Sequence, residues 1–208
     1  VSIQQDFISS MLPGATSVQI ETGLPGAVLI AQAALETGWG GAITRDLNSH
    51  VSSNNLFNIK GSYQGQSVQA WTTEYINGIP KKMIQTFRKY PNFKESFADY
   101  AQLITGNPAY ARAVAVKDNP WQYANMLQAC GYATDPTYAM ELSALMKQWN
   151  LVERVNKLAD EIANTPSGWA KAAWEKCVEA GIFDGTKPHD SMTREMLAVI
   201  LVKLGLVK

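Results

Sequence analysis

Glu36 and Glu74 stand where this sequence could build proton-transfer chemistry. Glu36 follows an uncharged run, Val28-Leu29-Ile30-Ala31 onward to Leu35, and precedes Thr37-Gly38-Trp39-Gly40. A proline at the opening, Leu24-Pro25, and Gly38 as a stop predict a helix that ends just past the carboxylate. Low dielectric and the negative end of the helix dipole both disfavour its ionised form, so Glu36 is expected to hold a proton near neutrality. The competing reading puts it on the solvent face of the last turn. Glu74 lies in Thr72-Thr73-Glu74-Tyr75, and by strand alternation it shares a face with Val68, Ala70 and Thr72, opposite Trp71, Thr73 and Tyr75. Alone, it reads equally well as a solvated residue beside a turn. Together, two carboxyls in unequal environments are what acid-base cleavage of a glycosidic bond requires, one protonated toward the leaving oxygen and one ionised.

Other catalytic arrangements find little support. The two cysteines, Cys130 and Cys177, fall in different predicted domains, and His50 and His189 are isolated. A Cys130/His50 nucleophilic pair has no supporting residues nearby, and no spacing suits a metal. Neither a disulfide nor a cofactor is expected. The charges balance, 18 basic against 18 acidic, with no basic stripe, which argues against nucleic acid. No apolar run reaches the roughly 18 residues of a membrane span. The start lacks the regions of a signal peptide, but the chain opens at Val1 rather than methionine, so this decides nothing about compartment.

The elements that would position the carboxylates follow from patterning. Residues 1–12 read as a helix with a Ser2/Gln5 capping box. Residues 40–65, rich in Gly, Ser and Asn, read as a long functional loop. Strands are expected over 66–76 and 79–88, joined at Asn77-Gly78. Helices follow at 93–104, capped by Asn92, and at about 108–116, 119–130 and 137–163. This is an α+β fold. Thr165-Pro166-Ser167-Gly168 marks a boundary, giving domains 1–165 and 166–208. The second should carry a helix over 169–180 stopped by Gly181 and a final helix capped by Thr193. So few residues seldom fold alone, so this piece is expected to dock on the main domain or on another copy of itself.

The segments Ala33 to Gly40, Asn54-Asn55-Leu56-Phe57-Asn58-Ile59-Lys60-Gly61, Thr72 to Tyr75, Phe87-Arg88-Lys89-Tyr90, Asn107-Pro108-Ala109-Tyr110-Ala111 and Gly131-Tyr132-Ala133-Thr134-Asp135-Pro136 occur in order over residues 3–150. In these segments the chain resembles the glycoside hydrolase family 73 glucosaminidases, which include flagellar peptidoglycan hydrolases, autolysins and phage endolysins. The resemblance implies a lysozyme-like helical lobe with a β-hairpin lobe, acting on peptidoglycan glycan strands after N-acetylglucosamine, outside the cell or in its wall. It implies Glu36 as general acid, Glu74 as second carboxylate, Tyr132 at the active site and Tyr110 as a sugar contact. The family's usual glycine after Phe57 is Asn58 here, which leaves the loop's backbone open. Trp39 and Phe57 are candidate sugar platforms with Asn55 as a polar neighbour, and Trp71 is expected between the lobes. A lytic transglycosylase, a muramidase or a non-catalytic wall-binding protein on the same scaffold are the alternatives. Residues 169–198, with Trp169 to Trp174, Ala180 to Gly185 and Met192 to Ala198, resemble one S-layer-homology repeat, a module of wall attachment usually found several together. Its single copy leaves wall binding and self-association both open.

Overall fold

In a computed structural model, which describes residues 2–192 and 194–206 apart from the Lys203 side chain, the chain divides into two units, 1–156 and 157–208. The division falls inside a helix, ahead of the composition break at Thr165.

The expected capping box forms, with Ser2 Oγ accepting from the Gln5 amide at 3.2 Å and Gln5 Oε1 accepting from the Ser2 amide at 3.4 Å. The helix it opens, α1 (Ile3–Thr22), continues past Pro13 and Gly14, where the sequence reading ended it. Tertiary packing overrides the local breakers here. A Cβ on Gly14 would lie 3.1 Å from the Lys94 Cα, so the missing side chain lets the later helix α3 (Phe93–Gly106) approach closely.

Helix α2 (Gly26–Thr37) is the centre of the unit. Every residue from Gly26 to Ala34 is buried, against α1 on one side and α5 (Pro120–Ala129) and α6 (Tyr138–Gln148) on others. Residues apolar on every face make a helix that has no water-facing side. Gly38 (φ 53°) caps it as expected, and Trp39 (φ 61°) is left-handed as well, which turns the chain out of the core.

The loop after α2 leads to a hairpin, β1 (Ser67–Ile76) and β2 (Ile79–Arg88), antiparallel with Glu74 opposite Lys81. Asn77 (φ 52°) and Gly78 (φ 79°) supply the two left-handed residues that a tight type I′ turn needs. On the far edge of β2, Lys60 bridges to Phe87, with the Gly61 amide bonded to Thr86 O and the Arg88 amide to Ile59 O, both at 2.9 Å. Val68, Ala70, Thr72 and Glu74 occupy the more covered face of β1. Trp71 corrects one expectation. It is 52% exposed, with Lys82 Nζ 5.4 Å from its ring centre, because nothing is layered on its face of the ribbon.

After α3, whose cap Asn92 accepts from the Glu95 amide at 3.0 Å, come a 3₁₀ turn at Pro108–Tyr110, α4 (Ala111–Val114), α5 and α6. The single helix expected over 137–163 is two: Asn150 (φ 51°) breaks it, and α7 (Leu151–Asn164) begins afresh. In the second unit, α8 (Lys171–Glu179) has no buried residue, and Trp174 stacks on Phe183 with ring centres 4.7 Å apart. The last helix, α9 (Arg194–Lys203), follows; its expected cap Thr193 lies outside the described residues. Cys130 and Cys177 are free thiols. Among the described residues no helix is long and apolar enough to cross a membrane, and no cluster of His, Cys, Asp or Glu is fit to hold a metal.

Candidate active site

The end of α2 carries Glu36 out of the core but not fully into water. Burial alone raises its carboxyl above the ordinary range. The phenols of Tyr132 and Tyr138 lie within its electrostatic reach. These belong to an aromatic group: Tyr132 stacks on Tyr138 (5.6 Å between centres) and meets Tyr100 edge-on at 6.1 Å and Tyr110 at 6.0 Å. Burial pushes the Tyr100, Tyr132 and Tyr138 hydroxyls far above the usual phenol range, so all three are neutral donors and acceptors.

Beneath them lies Gln32, fully buried and one turn before Glu36 on α2. Its Nε2 donates to Tyr100 Oη at 2.9 Å and to Tyr138 Oη at 3.0 Å. Sequence reasoning passed over Gln32, Tyr100 and Tyr138. The available signal was a lone amide at i, i+4 from the carboxylate in an otherwise apolar helix.

Phe57, Tyr110 and Tyr132 come together in one cleft of about 580 Å³, walled also by Tyr100, Leu103 and Asn107. Phe57 is mostly covered, stacked on Tyr100 with centres 3.9 Å apart. Trp39 does not join this group. Its ring packs between Phe7 (5.8 Å) and Trp149 (5.7 Å), and it remains partly exposed.

Asn55 corrects the expectation of a polar sugar contact. It is fully buried, its Nδ2 donating to Ile59 O (2.9 Å) and Arg88 O (3.1 Å) while its Oδ1 accepts from the Phe57 and Ile59 amides. The side chain folds the loop and has no hydrogen-bonding capacity left for a ligand. Asn58 adopts the left-handed conformation (φ 51°) that a glycine would supply, and its Oδ1 accepts from Thr44 Oγ1 at 3.2 Å.

Glu74 is partly covered and paired with Lys60, Nζ to Oε1 at 2.6 Å. Lys60 sits level with Phe87 and Val68, whereas Glu74 is six residues nearer the turn, about 20 Å along a straight strand. That exceeds the reach of a lysine, so the ribbon curls back over the Lys60 side. Among the described residues, Glu36 and Glu74 have no hydrogen-bond or ion-pair partner in common. The base of the ribbon is pinned to α3: Arg88 Nη1 lies 2.7 and 2.5 Å from the Asp99 carboxylate oxygens, and the Tyr90 hydroxyl donates to Asp99 at 2.6 Å. Tyr63 adds a bond to Glu95 at 2.7 Å, and that acceptor is the main cause of its hydroxyl being pushed up to about 12.

A helix-end carboxyl raised by burial, within electrostatic reach of a tyrosine that lines an aromatic cleft, and a second carboxylate on a hairpin fit a lysozyme-like glycoside hydrolase. The family model described as "Mannosyl-glycoprotein endo-beta-N-acetylglucosaminidase" matches residues 12–151. The chain belongs to this glucosaminidase family, glycoside hydrolase family 73. It is similar to the peptidoglycan hydrolase FlgJ of Pseudomonas aeruginosa, 43% identical over 152 residues, covering 72% of this chain and 38% of that protein. A relative from Lactococcus lactis subsp. lactis named "Probable N-acetylmuramidase" is 39% identical over 150 residues, covering 70% of this chain and 33% of that protein. The chain thus spans less than half the length of these relatives. Among solved structures, the catalytic domain of the autolysin Auto from Listeria monocytogenes matches with a TM-score of 0.64 at 34% identity, covering 74% of this chain and 88% of that one. The C-terminally truncated glycoside hydrolase domain of Salmonella typhimurium FlgJ matches at 0.61 and 38% identity, covering 71% and 97%. The family match ends before the second unit begins.

Proposed function

We propose that the chain hydrolyses peptidoglycan in the cell wall, cutting the β-1,4 bond after N-acetylglucosamine, with Glu36 as general acid. The observation that carries this reading is the Glu36 carboxyl, raised by burial and set beside the tyrosine-lined cleft. A carboxyl whose protonated form burial favours gives its proton to the glycosidic oxygen as the bond from the anomeric carbon breaks. Water then adds to that carbon. Glu74 serves as the base that takes the water's proton, or stabilises the positive charge developing on the sugar. Lys60 occupies its Oε1, and Oε2 has no protein partner among the described residues. Tyr132 and Tyr110 line the path of the glycan, with Phe57 beneath. Trp39 is retained as a sugar platform through its exposed edge.

The names of the relatives supply the substrate class, and one relative's name favours a second reading, cleavage after N-acetylmuramic acid. Mass spectrometry of muropeptides from digested peptidoglycan separates them. New reducing ends on N-acetylglucosamine support the proposal, N-acetylmuramic acid ends make the chain a muramidase, and 1,6-anhydro products a transglycosylase. Glu36→Gln should abolish release of any product while retaining sedimentation with insoluble wall.

A further inference from the structure

Tyr63, Gln64, Gln66, Lys89, Tyr90 and Pro91 enclose a second pocket, of about 410 Å³, that the proposed cleavage does not use. Its size falls within the roughly 300–1,000 Å³ of small-ligand sites. Main-chain bonds frame it. Gln64 (φ 49°) and Gly65 (φ 77°) form a tight left-handed turn, closed by the Tyr63 amide on Gln66 O at 2.9 Å and the Gln66 amide on Tyr63 O at 2.8 Å. Lys89 is tied beside that turn, its amide donating to Gln66 O at 3.3 Å. Tyr90 is buried and Tyr63 partly so, with ring centres 4.8 Å apart. Their hydroxyls are committed to groups outside the lining, Tyr63 to Glu95 at 2.7 Å and Tyr90 to Asp99 at 2.6 Å, so these residues give the pocket ring carbon. Polar capacity comes from the other side chains. Among the described residues the partly covered Lys89 ammonium has no acid partner, and the Gln64 and Gln66 amides make no side-chain hydrogen bond. No carboxylate lines the pocket.

We infer that this pocket binds an acidic peptide, the stem peptide appended to the glycan strand, and so selects which strands are engaged. This rests on the reading of peptidoglycan as substrate. The chemistry matches: the ammonium pairs with a carboxylate, the two amides with peptide N–H and C=O groups, and the rings with small apolar side chains. A neutral sugar would leave the ammonium unanswered. Position favours the same ligand. One loop supplies Phe57 and Ile59 to the cleft and Tyr63, Gln64 and Gln66 to the pocket. Ile59 and Tyr63 are separated by at most about 14 Å of chain, and an extended tetrapeptide reaches as far. A peptide still attached to a sugar in the cleft has the length to enter.

The test begins with binding, read by NMR on the full chain titrated with the free stem tetrapeptide that an amidase releases from the wall. Saturable shifts are expected at the amides of residues 63–66, Lys89 and Tyr90. Lys89→Met should weaken binding about 5- to 10-fold, between an exposed ion pair and a charge-assisted bond in a covered site, and Lys89→Arg should restore most of it. Gln64→Gly removes one amide where the left-handed backbone favours glycine, so its fold is secure, and it should weaken binding about 2- to 10-fold. In initial-rate assays Lys89→Met and Gln64→Gly should each raise KM on peptide-bearing glycan fragments by the same factor, with kcat unchanged. Neither should alter KM on amidase-stripped strands, which keep the lactyl carboxylate of muramic acid. No shifts in the pocket, or an equal rise in KM on stripped strands, overturns the inference; in the second case the acid recognised belongs to the sugar. Tetrapeptide binding needs no turnover. A chain that binds it but releases no wall fragments fails as a hydrolase and keeps the pocket, whereas a hydrolase blind to the tetrapeptide loses only the pocket.

Discussion

Asp99→Asn is the sharpest perturbation of the hinge between the hairpin and the helices. The carboxylate is almost covered, 8% exposed, and takes both Arg88 contacts and the Tyr90 hydroxyl. Asparagine keeps the shape and an acceptor for Tyr90, so the change isolates the charge. It leaves a guanidinium that is only 24% exposed and whose Nε already lacks a partner. Breaking a buried pair from one side costs about 3–5 kcal/mol, and the partial exposure of Arg88 points to the lower end, about 3 kcal/mol. At about 2–4 °C per kcal/mol for a domain of this size, the midpoint of thermal unfolding should fall by about 6–12 °C. Differential scanning calorimetry at neutral pH measures it directly. Arg88→Leu with Asp99→Asn should cost less than the two single changes summed, by about 1–3 kcal/mol, because the double variant leaves no orphaned charge. A midpoint shift under about 2 °C, or strict additivity, would show that the pair does not hold the ribbon's base.

Glu36→Gln carries a second, thermodynamic expectation. Burial raises the folded-state pKa of Glu36, so the folded chain binds that proton more tightly than the unfolded one. The favourable contribution is complete below the unfolded value and is lost as pH rises through the folded one. The variant should therefore match the parent in acid and exceed it in stability increasingly toward pH 8; a variant less stable at pH 8 contradicts the burial. Asn55→Ala orphans the Phe57 and Ile59 amides, at about 1–3 kcal/mol for each buried group, and frees the loop that carries Phe57 and Lys60. Thermal unfolding should come several degrees earlier and KM should rise; unchanged values for both would show that the loop does not depend on Asn55.

Local signals carried the parts of the fold that local chemistry decides. The Ser2 cap, the Gly38 stop and the Asn77-Gly78 turn needed no knowledge of the rest of the chain, and each stands where its residue types require. The failures are tertiary. Pro13-Gly14 reads as a helix end, yet packing on α3 carries α1 through. Apolar spacing across Trp149 masks the break at Asn150. Alternation assigned Trp71 to the face opposite Glu74 but could not say that this face is bare. Asn55 looked available because its partners, Ile59 and Arg88, meet it only in the folded loop. Glu36 was visible because an isolated carboxylate breaks an apolar helix. The polar array beneath it was not, since tyrosines at helical spacing look like ordinary core.

The two carboxylates are mounted at opposite ends of the range of local opening free energies. The amides of α2 are enclosed by α1, α5 and α6, so they should exchange with solvent only when the whole unit unfolds. The distal ribbon leaves Tyr75, Ile76 and Ile79 open and is pinned by Asp99 near its base and by the Lys60–Glu74 pair further out. Its amides should exchange first. One carboxylate thus stands on a stiff element and the other on a compliant one. Under the proposed function, an insoluble polymer whose strands vary in thickness and cross-linking would be admitted by displacing the hairpin while Glu36 stays in register.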